Sequence, residues 1–306
     1  MGSSVRVSAA VAGALADGRP VVALESTVFS RLGLPEAGGE AWRRAHHAVA
    51  AAGAVPAVTV VLDGVARVGV DDHQVPLVLA AERKAAERDL PVAVAQGWAA
   101  AATTVSASLA LAAGAGIEVF ATGGIGGVHR DFDETGDESA DLVALARHAV
   151  VTVCAGAKSF LDLPRTLERL ETLGVPVLGI GTAGGAFPGF WSRRSGGAVV
   201  PHEVGSAKEA AAVVRAARDL GYGGGVLVVT PVPEHDEVPF EELGPAIEEA
   251  VAHAARAGVR GGAVTPFVLE RIAIATGGRT VAANIALVEH NASVAGAIAA
   301  ALAARR

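Results

Sequence analysis

Short runs of apolar, β-branched residues alternate with longer helical stretches along the chain, and the strand-like runs are apolar throughout instead of at every second position. Runs such as Val21-Val22-Ala23-Leu24 and Val150-Val151-Thr152-Val153-Cys154 offer water no polar face. Strands of this kind need cover on both faces, and alternation with helices supplies it when the strands run parallel. The pattern therefore predicts an α/β fold with a largely parallel central sheet, covered on both faces by helices. No repeat and no low-complexity linker divides the 306 residues, so residues 1–306 read as a single domain.

Further strands are expected at 57–62, 65–70, 92–95, 117–122, 175–180 and 225–230. Helices are expected over 40–52, 76–89, 103–113, 139–148, 164–173 and 206–220. From Phe240 the chain reads as helical, with breaks near 258–262 and 277–278. Asp63-Gly64 between two apolar runs is a strong hairpin signal and predicts a small β-hairpin appendage. Residues 1–18 read as an amphipathic opening helix, not as a signal peptide.

Composition narrows the function classes. Hydrophobic residues make up 51% of the chain and aromatics only 4%, so the core must be built from Ala, Val, Leu and Ile. A net charge of −7 argues against a nucleic-acid reader that works by neutralising phosphates. The lone Cys154 excludes a disulfide framework within the chain and a cysteine-based zinc site, which points to an intracellular protein. The most apolar stretches, 103–116 and 294–304, read as too short or too interrupted to span a bilayer.

In parallel sheets ligands bind beyond the carboxyl ends of the strands, so residues just after strands are the ones to read for chemistry. Gly123-Gly124-Ile125-Gly126-Gly127 fails the Gly-x-Gly-x-x-Gly spacing. It reads either as a plain turn or as a loop whose backbone N–H groups approach an anion. Gly156-Ala157-Lys158-Ser159 lacks the Gly-Lys pair of a phosphate loop. What remains is Lys158 at the end of an apolar strand, either as a nucleophilic amine or as a phosphate-binding or salt-bridging cation. Glu25 directly follows another apolar strand, and reads either as a general acid whose pKa partial desolvation raises or as a helix-capping or structural carboxylate. Asp131, Asp133, Glu134, Asp137, Glu138 and Asp141 crowd the entry to a helix, with Ser139 among them. That cluster is either a solvated acidic loop or an oxygen-rich site for Mn²⁺ or Mg²⁺. No His-Glu-x-x-His pattern and no Gly-x-Ser-x-Gly elbow is present.

Several segments, in order and over nearly the whole chain, resemble the pseudouridine-5′-phosphate glycosidases, the family that also contains indigoidine synthase A proteins. They begin with Ala23-Leu24-Glu25-Ser26-Thr27, Gly33-Leu34-Pro35, Leu62-Asp63-Gly64, Arg67-Val68-Gly69 and Thr103-Thr104-Val105. They continue with Val119 through Arg130, Asp137-Glu138-Ser139-Ala140-Asp141-Leu142, and Cys154 through Ser159 leading to Leu163-Pro164-Arg165. Near the end stand Thr265-Pro266-Phe267 and Ala282-Ala283-Asn284-Ile285.

The resemblance implies a three-layer α/β/α sandwich, a homotrimer, and cytoplasmic cleavage of pseudouridine 5′-phosphate to uracil and ribose 5-phosphate. A relative acting on another sugar phosphate or base, in an indigoidine-type pathway, is the alternative. It further implies Lys158 as the catalytic lysine, forming an imine with the ring-opened ribose, and Glu25 as proton donor. Asp137 would hold Mn²⁺ or another divalent cation. Lys84, Val105, Ser139, Ala140 and Asp141 would contact substrate, with Thr122, His129 and Asn284 as additional lining. Neither nucleic acid nor membrane is an expected partner. The sequence departs from the family pattern at Glu36-Ala37-Gly38-Gly39, at Ala101, and in Gly181 through Pro188, which lacks an acidic pair.

Overall fold

The computed structural model describes residues 5–259 and 261–304. The chain opens with β1 (Val5–Val7) and α1 (Ala9–Ala16), followed by β2 (Val21–Leu24), α2 (Gly38–Ala51), β3 (Val55–Leu62), β4 (Val65–Val68) and α3 (Val75–Leu79). Next come β5 (Lys84–Ala85), α4 (Leu90–Ala95), β6 (Ala100–Thr103), α5 (Val105–Gly114), β7 (Val119–Ala121), α6 (Phe132–Thr135), α7 (Ala140–Arg147) and β8 (Val151–Cys154). The rest is α8 (Leu163–Thr172), β9 (Val177–Gly179), β10 (His202–Glu203), α9 (Ala207–Asp219), β11 (Val226–Val229), α10 (Phe240–Arg256), α11 (Val264–Ala275) and α12 (Arg279–Ala303).

The sheet has the expected parallel core. In the order β3-β2-β7-β8-β11-β9-β10, every neighbouring pair is parallel. Every residue of β2, β7, β8 and β11 is buried, which is what their unbroken apolar runs require. α12 crosses one face over β2, β7 and β8, with α2 and α9 at its flanks. The other face carries α5, with α7 packed beside it. The result is the α/β/α layering that the sequence predicts.

The Asp-Gly hairpin forms between β3 and β4, with Leu62 opposite Val65. Asp63 and Gly64 both take left-handed backbone angles (φ 50° and 69°), the geometry of a tight two-residue hairpin turn. The hairpin is more than a projection. β1 runs parallel to β4, β6 pairs antiparallel with β3, and β5 lies beside β6, so the hairpin is the centre of a second wing of the same sheet.

Local differences from the sequence reading have physical causes. Ahead of α1 lies a short strand, β1, which pairs with β4; Ser8 then caps α1, its hydroxyl accepting from Val11 N. The helix expected over 76–89 stops at Leu79, and Lys84–Ala85 join β6 as a strand. Residues 82–89 are mostly charged and carry no apolar stripe that would hold them in a helix. The run 92–95 lies in α4, which starts at Leu90-Pro91, and the strand of this region is the Ala-rich β6. A four-residue apolar run fits either state, and alanine is a poor strand signal. Residues 294–304 belong to a longer element. α12 has 25 residues and is long and apolar enough to cross a membrane, yet here it is a packed helix of the sandwich.

α12 and α2 approach closely at Gly296, where a Cβ would stand 2.6 Å from the Ala52 Cβ. Gly296→Leu is expected to lower stability by about 2–3 kcal/mol, read as a lower urea midpoint with the slope unchanged. An unchanged midpoint would contradict this packing.

Candidate active site

Three neighbouring strands, β2, β7 and β8, end side by side and deliver the chemistry. Leu24 pairs with Ala121, so the next residues, Glu25 and Thr122, emerge next to each other. Thr122 Oγ1 donates to Glu25 Oε1 at 2.8 Å. Glu25 is only 8% exposed, and burial pushes its carboxyl up to about 7. Lys158, the Thr122 hydroxyl and Lys84 pull the other way, while Asp141 adds to the rise.

Behind Glu25 the chain is anchored by hydroxyls. Thr103 N donates to Ser26 Oγ at 2.8 Å, and Thr103 Oγ1 donates to Thr59 O at 2.7 Å. Thr59 Oγ1 in turn donates to Ser108 Oγ at 2.8 Å. This buried polar chain ties the turn after β2 to β3, β6 and α5, and its hydroxyls satisfy one another internally.

Lys158 follows β8 through a sharp bend. Gly156 has φ +81°, and a Cβ there would stand 2.1 Å from Pro188 O, so only glycine fits. Lys158 N donates to Ile125 O at 3.2 Å, which fixes the backbone from which the side chain leaves. Among the described residues, no hydrogen bond or ion pair ties down its half-buried ammonium. Lys84, on β5, approaches the same cavity; burial lowers its ammonium below the usual lysine range, and the charge of Lys158 adds to the effect.

Asp141 is 6% exposed and joins three segments. Its Oδ1 accepts from Ser106 N at 3.0 Å and its Oδ2 from Gly126 N at 2.9 Å. Ser139 caps α7, its hydroxyl accepting from Asp141 N. A Cβ at Gly126 would stand 2.2 Å from Ser139 Oγ, so this glycine is a matter of fit. Val105 and Ala140 are the first residues of α5 and α7, which brings two helix N-termini to the cavity.

The cavity has a volume of about 520 Å³, and Glu25, Lys84, Val105, His129, Asp137, Ser139, Ala140, Asp141, Lys158 and Asn284 all line it. Thr122 does not; it sits behind Glu25 as its hydrogen-bond partner. Asp137 lies near His129, with Oδ2 3.9 Å from the imidazole Nε2. Of the neighbouring acids, Glu138 is engaged with Arg169 and Asp133 with Arg165. Among the described residues, no three His, Cys, Asp or Glu side chains converge as a metal cage. The donors that do reach the cavity fit a divalent ion held by one carboxylate and otherwise by water.

The residues that sequence reasoning missed lie in irregular chain. Phe190 lines the cavity at φ +64°, its ring packed against Gly124, where a Cβ would come within 2.6 Å. Trp191 Nε1 donates to Asn284 Oδ1 at 2.8 Å. Asn291, fully buried on α12, donates through Nδ2 to Thr122 O at 2.8 Å and Gly123 O at 3.2 Å. In a chain with 4% aromatics, an adjacent Phe-Trp pair inside a Gly- and Ser-rich stretch was the available signal for the first two.

Fold and site together define the class: an α/β enzyme in which a proton-bearing carboxyl and a lysine amine meet beyond the carboxyl edge of a parallel sheet. The model of the family described as indigoidine synthase A like protein matches residues 10–301. A pseudouridine-5′-phosphate glycosidase of Nocardioides sp. is 50% identical over 292 residues, covering 94% of each chain. One from Caldanaerobacter subterraneus is 47% identical over 302 residues, covering 98% of this chain and 97% of the relative. Among solved structures, the prealnumycin C-glycosynthase in complex with ribulose 5-phosphate superposes with a TM-score of 0.88 at 37% identity, covering 98% of this chain and 97% of that one. An indigoidine synthase A-like protein of Thermotoga maritima gives 0.87 at 35% identity, covering 99% and 98%. The chain belongs to the indigoidine synthase A-like family, and it is an enzyme.

The raised carboxyl also sets a pH dependence of stability. Between its ordinary value of 4.5 and about 7, the unfolded chain holds Glu25 ionised while the fold holds it protonated. Stability from this group therefore falls as pH rises through that window and stays lower above it. Glu25→Gln is expected to raise the melting temperature at pH 8 but not at pH 4, measured by calorimetry at both.

Proposed function

We propose that this enzyme cleaves the carbon–carbon glycosidic bond of pseudouridine 5′-phosphate, releasing uracil and ribose 5-phosphate. The observation that carries the reading is that one cavity is lined both by Glu25, its carboxyl pushed up to about 7, and by Lys158, whose amine has no hydrogen bond or ion pair among the described residues. The names of the half-identical relatives support the same substrate.

A carbon-linked base cannot be released by protonating a leaving nitrogen or oxygen, which is the ordinary route of glycoside cleavage. Glu25 gives its proton to the ribose ring oxygen as the C1′–O4′ bond breaks, and the pyrimidine ring supplies electrons to C1′. Lys158 gives up a proton to water, and its amine adds to C1′, returning those electrons to the base. Glu25, now ionised, takes a proton from the alkylated nitrogen and delivers it to C5 of the base. The C1′–C5 bond then breaks: its electrons restore the aromatic ring, and the nitrogen lone pair forms the C1′=N bond. Water hydrolyses that iminium, freeing Lys158 and the sugar aldehyde, and Glu25 regains its proton from water.

Lys84, Ser139 and the backbone N–H groups at the start of α5 and α7 form a cationic, donor-rich wall for the phosphate and sugar hydroxyls. His129 borders that wall. Asp141 holds the Gly126 loop against α5 and faces the sugar. Asn284 faces the base, and Thr122 steadies Glu25. A divalent ion, Mn²⁺ in the leading reading, would be held at Asp137 and supply positive charge to the phosphate through its waters. The same reading has the enzyme act in the cytoplasm as a homotrimer.

The C-glycosynthase neighbour favours one alternative, a different base or sugar phosphate on the same lysine chemistry. Uracil release from pseudouridine 5′-phosphate, set against a panel of other C-linked nucleoside phosphates, separates the two. Lys158→Ala is expected to abolish turnover, with ribose 5-phosphate binding still detectable by calorimetry. Surviving turnover would refute the covalent route. Glu25→Gln is expected to cost about 10²–10⁴-fold in kcat, and in the unaltered enzyme kcat should fall as pH rises past about 7. Asp137→Asn is expected to remove any Mn²⁺ stimulation while leaving the melting temperature unchanged.

A further inference from the structure

Asn284 reaches the cavity from α12 and is only 8% exposed. Its Oδ1 accepts from Trp191 Nε1 at 2.8 Å. Its Nδ2 has no partner among the described residues and is not sealed off from the cavity. An indole N–H is a donor and nothing else, so the atom that meets it must be the carboxamide oxygen. The flipped amide would set donor against donor in a buried contact, at the full cost of two unmade hydrogen bonds. The indole partner thus dictates which way the amide points.

Trp191 itself has no room to turn. It is 1% exposed, its ring centroid lies 5.0 Å from that of Phe190, and its carbonyl accepts from Val238 N at 3.0 Å. Phe190 is fixed in turn by its N–H to Ala155 O at 3.0 Å, beside the bend that carries Lys158. The indole and the catalytic loop are therefore parts of one packed unit.

With the amide locked, the NH₂ is what Asn284 offers first to a ligand. Its oxygen keeps a second lone pair for an adjacent donor. A base edge with a carbonyl next to a ring N–H satisfies both groups. An edge in which an amino group replaces that carbonyl sets donor against donor. We propose that Trp191 is a positioning residue that, by holding the Asn284 carboxamide in one orientation, makes the site select a base carbonyl over an amino group. The proposal rests on the C-glycosidase reading above and adds the residue pair that determines base selectivity.

The test compares pseudouridine 5′-phosphate with its two amino analogues, the C5-linked 4-amino-2-oxo and 2-amino-4-oxo pyrimidine ribosides as 5′-phosphates. Between them these replace each carbonyl of the base. The unaltered enzyme should disfavour at least one analogue by about 100-fold or more in kcat/KM. Trp191→Phe removes the donor and frees the amide to flip, so that gap should shrink to about tenfold or less, chiefly through KM. An equal loss on all three substrates, with the gap intact, would mean that Trp191 only supports the fold and would overturn the proposal. No discrimination by the unaltered enzyme would also overturn it.

Asn284→Asp provides a second reading should Trp191→Phe fold poorly. A carboxylate only accepts, so the preference should turn toward the amino analogue; a retained carbonyl preference contradicts the proposal. Calorimetric binding of uracil, cytosine and isocytosine in the presence of ribose 5-phosphate reads the same selectivity without turnover. An enzyme that prefers uracil in that assay yet releases none from pseudouridine 5′-phosphate would sink the glycosidase reading and leave the Trp191–Asn284 inference standing.

Discussion

The carboxyl of Glu25 is pushed up to about 7 because it is walled in at the end of a fully buried strand. Burial outweighs the pull of two lysines and a hydroxyl. That balance depends on the parallel register: Leu24 against Ala121 places Glu25 beside Thr122, and β8 next to β7 brings the Lys158 bend to the same mouth. An acid and an amine sharing a site would neutralise each other by ion pairing in open water. Here the fold holds the acid back in a dry position and leaves the amine without a fixed partner.

The surrounding structure is organised to keep these groups still. The hydroxyl chain through Ser26, Thr103, Thr59 and Ser108 secures the turn after β2, and Asn291 grips the carbonyls of Thr122 and Gly123 from the opposite layer. Asp141 clamps the Gly126 loop to the first turn of α5. Helices on both faces thus contribute a polar side chain that reaches through the apolar interior to the strand ends. Such buried polar links favour one arrangement over its neighbours, because a shift would leave several of them unsatisfied. A carboxyl that is costly to ionise is tolerated within this frame, a local loss of stability at the place where chemistry needs it.

Much of this was legible in the sequence where local and tertiary preferences agree. Unbroken apolar runs gave a parallel buried sheet, Asp63-Gly64 gave a hairpin, and residues directly after strands gave Glu25 and Lys158 as candidates. Legibility failed over 76–103. There charged residues without an apolar stripe became β5, and an alanine-rich segment became β6, because pairing within the second wing decided the outcome. Asp137 and Asp141 look alike in the sequence, yet one stays half-exposed at the cavity and the other is locked by two backbone donors, a distinction made only by the packing of α5 against α7. Phe190 and Trp191 carried no periodic signal, since their positions follow from a left-handed backbone turn and a contact with α12 distant in sequence. The Thr122 side chain, expected to line the cavity, stands one layer behind it for the same reason that Glu25 lines it: the register sets them side by side, and the carboxylate is the longer of the two.

The central claim, that the Lys158 amine forms the covalent bond to the opened sugar, is tested most directly by reduction with borohydride in the presence of ribose 5-phosphate, followed by peptide mass mapping. The account predicts a single reduced sugar adduct on Lys158, absent when the sugar phosphate is omitted. An adduct on Lys84 in its place, or no adduct under conditions of full turnover, would contradict it.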